Sequence, residues 1–245
     1  MTTGRKLGLA CMVALFGVLG MASAQEVKVT GRLTLEAGTE RGQSKSPADA
    51  VVWLTPFSNP APRPAASDAS PRRPRLVQRQ KKFDPHVLVV RLGSVVDFPN
   101  NDPLFHNVFS LFNGKRFDLG LYEAGSTRGV LFDRPGICYI FCNIHPEMSA
   151  VVVVLDTPYY AVSNEAGEIV ISNVPAGRYR LQVFHERCLP EFLSTLTREI
   201  TVSPEGSVLG TIRLVEAGEL RLTHKNKYGR EYDLPAPRGP LYQQP

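Results

Sequence analysis

Cys142, His145 and Met148 fall within seven residues of one another in "FCNIHPEM", spaced C-x-x-H-x-x-M, and His106 stands upstream in "NDPLFHNVFS". Thiolate and thioether suit Cu(I), and imidazole suits both oxidation states of copper. Two His and one Cys in a trigonal plane under a weak axial Met form an electron-transfer site. The chemistry expected of His106, Cys142, His145 and Met148 is therefore one-electron redox at a single copper. Taken singly, each residue has a plainer reading: a hydrogen-bonded loop histidine, a buried thiol, a core methionine. Their coincidence favours ligation.

Such a site must be held by a framework, and the chain opens with a segment outside any framework. Arg5 and Lys6 precede an apolar stretch from Leu7 to Met21, and Ala22-Ser23-Ala24 follows as a small-residue cleavage site. This is the pattern of a secretory signal peptide over 1–24, with no membrane span expected after cleavage. The expected location is periplasmic. Removing the leader takes away two cations and no acids, so the formal charge falls from +5 to +3. Three cysteines would remain, Cys138, Cys142 and Cys188, and an odd number leaves at least one thiol without an intramolecular partner. Service as a metal ligand protects such a thiol.

Short apolar or alternating runs separated by turn signals recur along the chain, and no segment holds a sustained helical period. Strands are expected at Val27–Leu33 and Ala50–Leu54. A compact set follows: Val87–Arg91, Val95–Phe98, Asn107–Leu111, Thr127–Phe132, Gly136–Cys142 and Ala150–Leu155. A later set covers Glu168–Ser172, Arg178–Phe184, Arg198–Val202 and Val208–Leu214. Between the first two sets, residues 59–82 are rich in proline and carry Arg63, Arg72, Arg73, Arg75, Arg79, Lys81 and Lys82 against Asp68 alone. Basic side chains scattered among prolines read as a solvated linker, not as a nucleic-acid surface. The stretch 218–245 lacks apolar periodicity after Leu222 and reads as a flexible tail. The resulting division is 25–58 first strands, 59–82 linker, 83–155 copper domain, 156–217 second sandwich and 218–245 tail. The later set has too few strands for a self-sufficient sandwich. The economical arrangement pairs the two early strands with it, making the copper domain an insert; the alternative adds them to the edge of the copper domain.

Residues 83–155 resemble the cupredoxins, especially the amicyanin and plastocyanin type. The resemblance rests on "VVRLGSVVDFPNND", on "FHNV", and on "PGICYIFCNIHPEM" before a run of valines. "GEIVISNVPAGRYRLQVFH" resembles a carboxypeptidase regulatory-like, transthyretin-like sandwich. Together they are similar to exported proteins labelled methylamine utilisation or plastocyanin-like proteins. The resemblance implies an all-β fold: a Greek-key cupredoxin sandwich inserted in, or flanked by, a small transthyretin-like sandwich. It also implies His106 and His145 ligating through imidazole nitrogen, Cys142 through thiolate and Met148 through sulfur. The backbone N–H of Asn107 would point at that thiolate, and the Asn107 side chain would bond near Asn143. Cys138 departs from the family pattern and reads as a small buried hydrophobe, with a bridge to Cys188 as the minority reading. His86, His185 and His224 lack companions at ligand spacing.

The function expected is an electron carrier working with a redox protein partner such as a c-type cytochrome or a dehydrogenase. The alternative is a copper-binding structural or chaperone protein. A chaperone site would be rich in methionine, and Met148 is the only methionine beyond the leader. An enzyme is not expected, since copper oxidases need clusters of histidine that this chain lacks.

Overall fold

The computed structural model describes residues 26–37, 46–57, 72–111, 114–217 and 225–232. The predicted leader, the first part of the linker and most of the tail lie outside the described residues. The architecture is all-β. In chain order the strands begin β1 (Glu26–Ala37), β2 (Val51–Pro56), β3 (Val77–Arg79), β4 (Lys82–Asp84), β5 (Val87–Arg91) and β6 (Ser94–Pro99). They continue with β7 (His106–Ser110), β8 (Phe117–Tyr122), β9 (Thr127–Phe132), β10 (Gly136–Cys142) and β11 (Ser149–Leu155). The last are β12 (Tyr160–Val162), β13 (Glu168–Pro175), β14 (Gly177–Phe184), β15 (Arg198–Val202) and β16 (Ser207–Glu216). A single short helix, α1 (Pro190–Thr195), interrupts the later series.

One sandwich is built from the sheets β13-β1-β16 and β12-β2-β14-β15. β1 runs antiparallel to β13 and parallel to β16, and β2 is antiparallel to both β12 and β14. The second is built on β5-β11-β10-β7-β8, with β6-β9 as its other layer.

The two share more than a connection. In β11 the side chains of Val151, Val153 and Leu155 enter the core of the first sandwich, while Ala150, Val152 and Val154 enter that of the second. β10 divides in the same way. Ile137 and Tyr139 pack towards the first core, whereas Cys138, Ile140 and Cys142 sit in the second. Alternation of side chains across a strand produces this split. It also explains why "AVVVVL" is continuously apolar: a strand covered on both faces has no polar side. The centre of the molecule is one sheet with a core on each side.

Two regions correct the expected division. Residues 72–82 are not a linker but part of the second sandwich. Leu76 and Gln78 are fully buried, although basic residues surround them. The Leu76 N–H donates to the Asp97 carbonyl at 2.9 Å, and the Asp97 N–H returns a bond of 2.9 Å to Pro74. The Gln78 amide donates to the carbonyl of Pro99 at 3.3 Å and to the Tyr122 hydroxyl. Leu76 and Gln78 point inwards, Phe83 joins them from β4 opposite Gln78, and the surrounding cations point out. Residues 225–232, expected to be loose, form an ordered loop against the second sandwich. Strands β3, β4, β8 and β12, and helix α1, were also not legible as periodic runs; β3, β4 and β12 are only three residues each. Cys138, Cys142 and Cys188 are free and buried, with Cys188 in the core opposite to that of Cys138, so no bridge joins them.

Candidate metal centre

β7 and β10 are hydrogen-bonded neighbours in the five-stranded sheet, with Cys142 opposite Val108. His106 opens β7 and Cys142 closes β10, so sheet register brings two residues 36 positions apart to one end of the sandwich. The turn from Asn143 to Met148 then folds back into β11. The Met148 N–H donates to the His145 carbonyl at 3.0 Å, and the Cys142 N–H to the Met148 carbonyl at 3.2 Å. This closure returns His145 towards the strand end it left. Pro146 suits such a turn because its φ is fixed.

The ligand atoms of His106, Cys142 and His145 all lie within 4.8 Å of one another. Cys142 Sγ is 3.7 Å from His106 Nδ1 and 3.5 Å from His145 Nδ1. The two imidazoles meet edge to face with ring centroids 4.9 Å apart. These spacings fit a metal. Bonds of about 2.0–2.3 Å to nitrogen and thiolate, in trigonal to tetrahedral array, put nitrogen and sulfur about 3.6–3.8 Å apart. Among the described residues no other group of three His, Cys, Asp or Glu converges in this way. Met148 is fully buried in the same core cluster as Cys142. It stands on the same turn as His145, to whose carbonyl its N–H is bonded.

The surroundings orient these donors. His106 is fully buried, and its Nε2 lies 2.9 Å from Asp102 Oδ2. A carboxylate on one ring nitrogen holds the proton there and leaves the lone pair on the other. Here that is Nδ1, facing the sulfur. Asp102 is fixed in turn by the N–H groups of Gln80 and Lys81, the latter at 2.9 Å. Burial would raise the Asp102 carboxyl, but these N–H groups and His106 outweigh it and hold it below its ordinary range. Burial pushes the Cys142 thiol up, opposed by the backbone N–H groups of Ile144, Asn107 and His145 directed at its sulfur. Burial, with the charges of His106 and Lys81, pushes the half-buried His145 imidazole down, favouring the neutral, ligating form.

Asn107 thus sends its N–H to the thiol as expected, but its side chain does not bond Asn143 directly. The direct tie is a backbone bond, from the Asn143 N–H to the Asn107 carbonyl at 2.9 Å. The Asn107 amide donates instead to Asp118 Oδ1 at 2.6 Å. Asp102, Asp118, Lys227 and Tyr232 were not singled out from the sequence. Asp102 had a signal, standing four residues before His106 in a turn; the others reach the site only through tertiary contacts.

No protein-family model matches the sequence, and no curated protein matches it either. Parts of the chain are similar to solved structures. A purple cupredoxin from Nitrosopumilus maritimus is 22% identical, covering 34% of this chain and 99% of its own, at a TM-score of 0.31. A mutant of amicyanin in its reduced Cu(I) form is 20% identical, covering 42% of this chain and 98% of its own, at 0.33. The Cu-containing nitrite reductase from Thermus scotoductus SA-01 is 23% identical over 35% of this chain, which spans only 23% of that enzyme, at 0.33.

Proposed function

We propose that this protein is an exported type 1 copper protein that carries single electrons between periplasmic redox partners, and is not itself an enzyme. The observation that carries the reading is the convergence of one thiol sulfur and two imidazole nitrogens to 3.5–3.7 Å at the buried end of a sandwich. Bound copper would supply a one-electron couple between Cu(I) and Cu(II). The chain's own part is to hold His106, Cys142, His145 and Met148 in one arrangement. Asp102 fixes the His106 ring, and three backbone N–H groups favour a thiolate at Cys142. The closed turn ties His145 to Met148, so little rearrangement accompanies a change of charge.

Water is kept from Cys142 and His106 by complete burial, whereas the His145 ring reaches the surface. That edge is the proposed route for electrons. Leu104, Phe105 and Ile144, exposed by 42%, 53% and 44%, give the same end an apolar rim. A weak, short-lived contact with a c-type cytochrome or a dehydrogenase fits a surface of that kind. The test is a visible spectrum of the copper(II)-loaded protein. An intense thiolate-to-copper band is expected, and colourless protein with copper(II) bound would overturn the reading.

A further inference from the structure

The ordered segment 225–232, "KNKYGREY", is a folded loop and not a draped chain end. The Asn226 N–H donates to the Arg230 carbonyl at 2.8 Å, and Asn226 Oδ1 accepts from the N–H groups of Tyr228 and Arg230 at 2.9 and 3.0 Å. Gly229 takes φ +73°, a conformation that favours glycine. The loop is thus shaped by its own sequence before it touches anything.

What it touches is the ligand loop. The Tyr232 hydroxyl donates to the carbonyl of Cys142 at 2.8 Å, and the Lys227 N–H donates to Asn143 Oδ1 at 2.8 Å. Lys227 Nζ reaches Asp118 Oδ2 at 2.8 Å. Asp118 also accepts the amide of Asn107, whose carbonyl receives the Asn143 N–H. Asn107, Asn143, Lys227 and Asp118 therefore form a closed ring of hydrogen bonds. It encloses the residue after the first histidine and the residue after the cysteine. Between strap and ligand loop lies a groove of about 480 Å³ lined by Ile144, Pro146, Tyr228 and Arg230. The strap is thus held at defined polar anchors and not by continuous apolar packing.

We infer that the 225–232 strap completes the metal centre, with Lys227 and Tyr232 as positioning residues that lock the His106 and Cys142 segments together from outside. The inference rests on the copper reading of the site. Loss of a group that orients ligands costs typically about 10–100-fold in metal affinity. Full-length protein loaded with Cu(I) and challenged with bathocuproine disulfonate should release copper about tenfold faster in Tyr232→Phe and in Asp118→Asn. Both variants should also shift the reduction potential, while Lys227→Arg, which keeps the cation, stays near wild type. Melting temperatures of the metal-free variants separate this from general loosening, since lost stability alone would not move the potential.

A second arm needs no copper. Trypsin should cut slowly after Lys225, Lys227 and Arg230 in the metal-free wild type and quickly in Asp118→Asn. Wild-type release rates and potentials in both variants would overturn the inference, as would rapid cleavage in the wild type. A wild type without the thiolate-to-copper band would sink the copper reading. The trypsin arm would then still decide whether the strap holds the loop.

Discussion

Two Cys–His pairs in this molecule have the same spacing, and only one belongs to a candidate metal site. In Cys142-x-x-His145 the sulfur lies 3.5 Å from Nδ1; in His185-x-x-Cys188 it lies 3.9 Å from Nδ1. Both thiols are buried and both are pushed up by burial, Cys188 to about 11. The pairs differ in what surrounds them. At Cys142 three backbone N–H groups oppose the burial, and His106 arrives from a neighbouring strand with its lone pair turned inwards. At Cys188 no group of three His, Cys, Asp or Glu ligand atoms forms among the described residues, although the Glu216 charge acts on the thiol, and His185 Nδ1 is already taken by the Arg187 N–H at 3.2 Å. A spacing of three brings sulfur and imidazole together cheaply. A site needs a ligand from another strand and free lone pairs as well.

The strongest break of that comparison is a pair of serine substitutions. Cys142→Ser should abolish the thiolate-to-copper band entirely, and Cys188→Ser should leave it unchanged, as read by absorbance of copper(II)-loaded protein. Loss of colour in Cys188→Ser would mean that the second pair also carries copper.

The comparison extends to the two cores that flank the central sheet. Leu76 is fully buried in the metal-side core and Leu54 is fully buried in the other. Truncation of either to alanine should cost about 2–5 kcal/mol. Because β11 contributes side chains to both cores, each variant should lower one common denaturant transition. Two separate transitions, each sensitive to only one variant, would show the cores to be independent.

The metal end was far more legible in the sequence than its setting. The convergence of His106, Cys142 and His145 could be read because ligand chemistry restricts residue type, and two of the three share one turn. Most strands could be read because apolar runs between turn signals survive any topology. The docking of Leu76 could not, because two inward residues among six cations give no periodic signal over so short a run. Nor could the valines of β11 reveal which core each one enters, since a strand covered on both faces shows no alternation. The strap had a local signal in Asn226 and Gly229, a turn pair. Its partners Asn143, Cys142 and Asp118 are distant in sequence, and nothing local specifies them.

A metal that gathers ligands from separated strands should also stabilise the fold. His106 is 36 residues from Cys142, so unfolding scatters the set and only the native state binds tightly. At free copper about a hundredfold above its dissociation constant, stabilisation should be about 2.7 kcal/mol, seen as a higher melting temperature. His106→Ala should remove that increment, whereas Cys188→Ser should keep it. An equal increment in His106→Ala would place the binding elsewhere.

The smallest expected effect concerns the contact that spans the two regions. His86, just before β5, places Nε2 2.7 Å from Glu186 Oε2, just after β14. Hydrogen bonding to Glu186 raises the His86 imidazole above its ordinary 6.5, with burial opposing. Burial would raise the Glu186 carboxyl, but His86 and the nearby cations outweigh it and hold it below its ordinary 4.5. A raised histidine contributes stability in full below 6.5 and loses it as pH rises through its folded value. A depressed carboxylate contributes in full above 4.5 and loses it as pH falls through its folded value. The pair should therefore stabilise most between pH 4.5 and 6.5. Because both side chains remain partly exposed to solvent, its worth should be about 1 kcal/mol or less. Denaturant titrations of wild type and His86→Gln across pH 4 to 9 should show a difference that peaks in that window and shrinks on both sides. A difference that stays flat with pH would mean that His86 joins the two regions by packing alone, and that the charge pair contributes nothing to their docking.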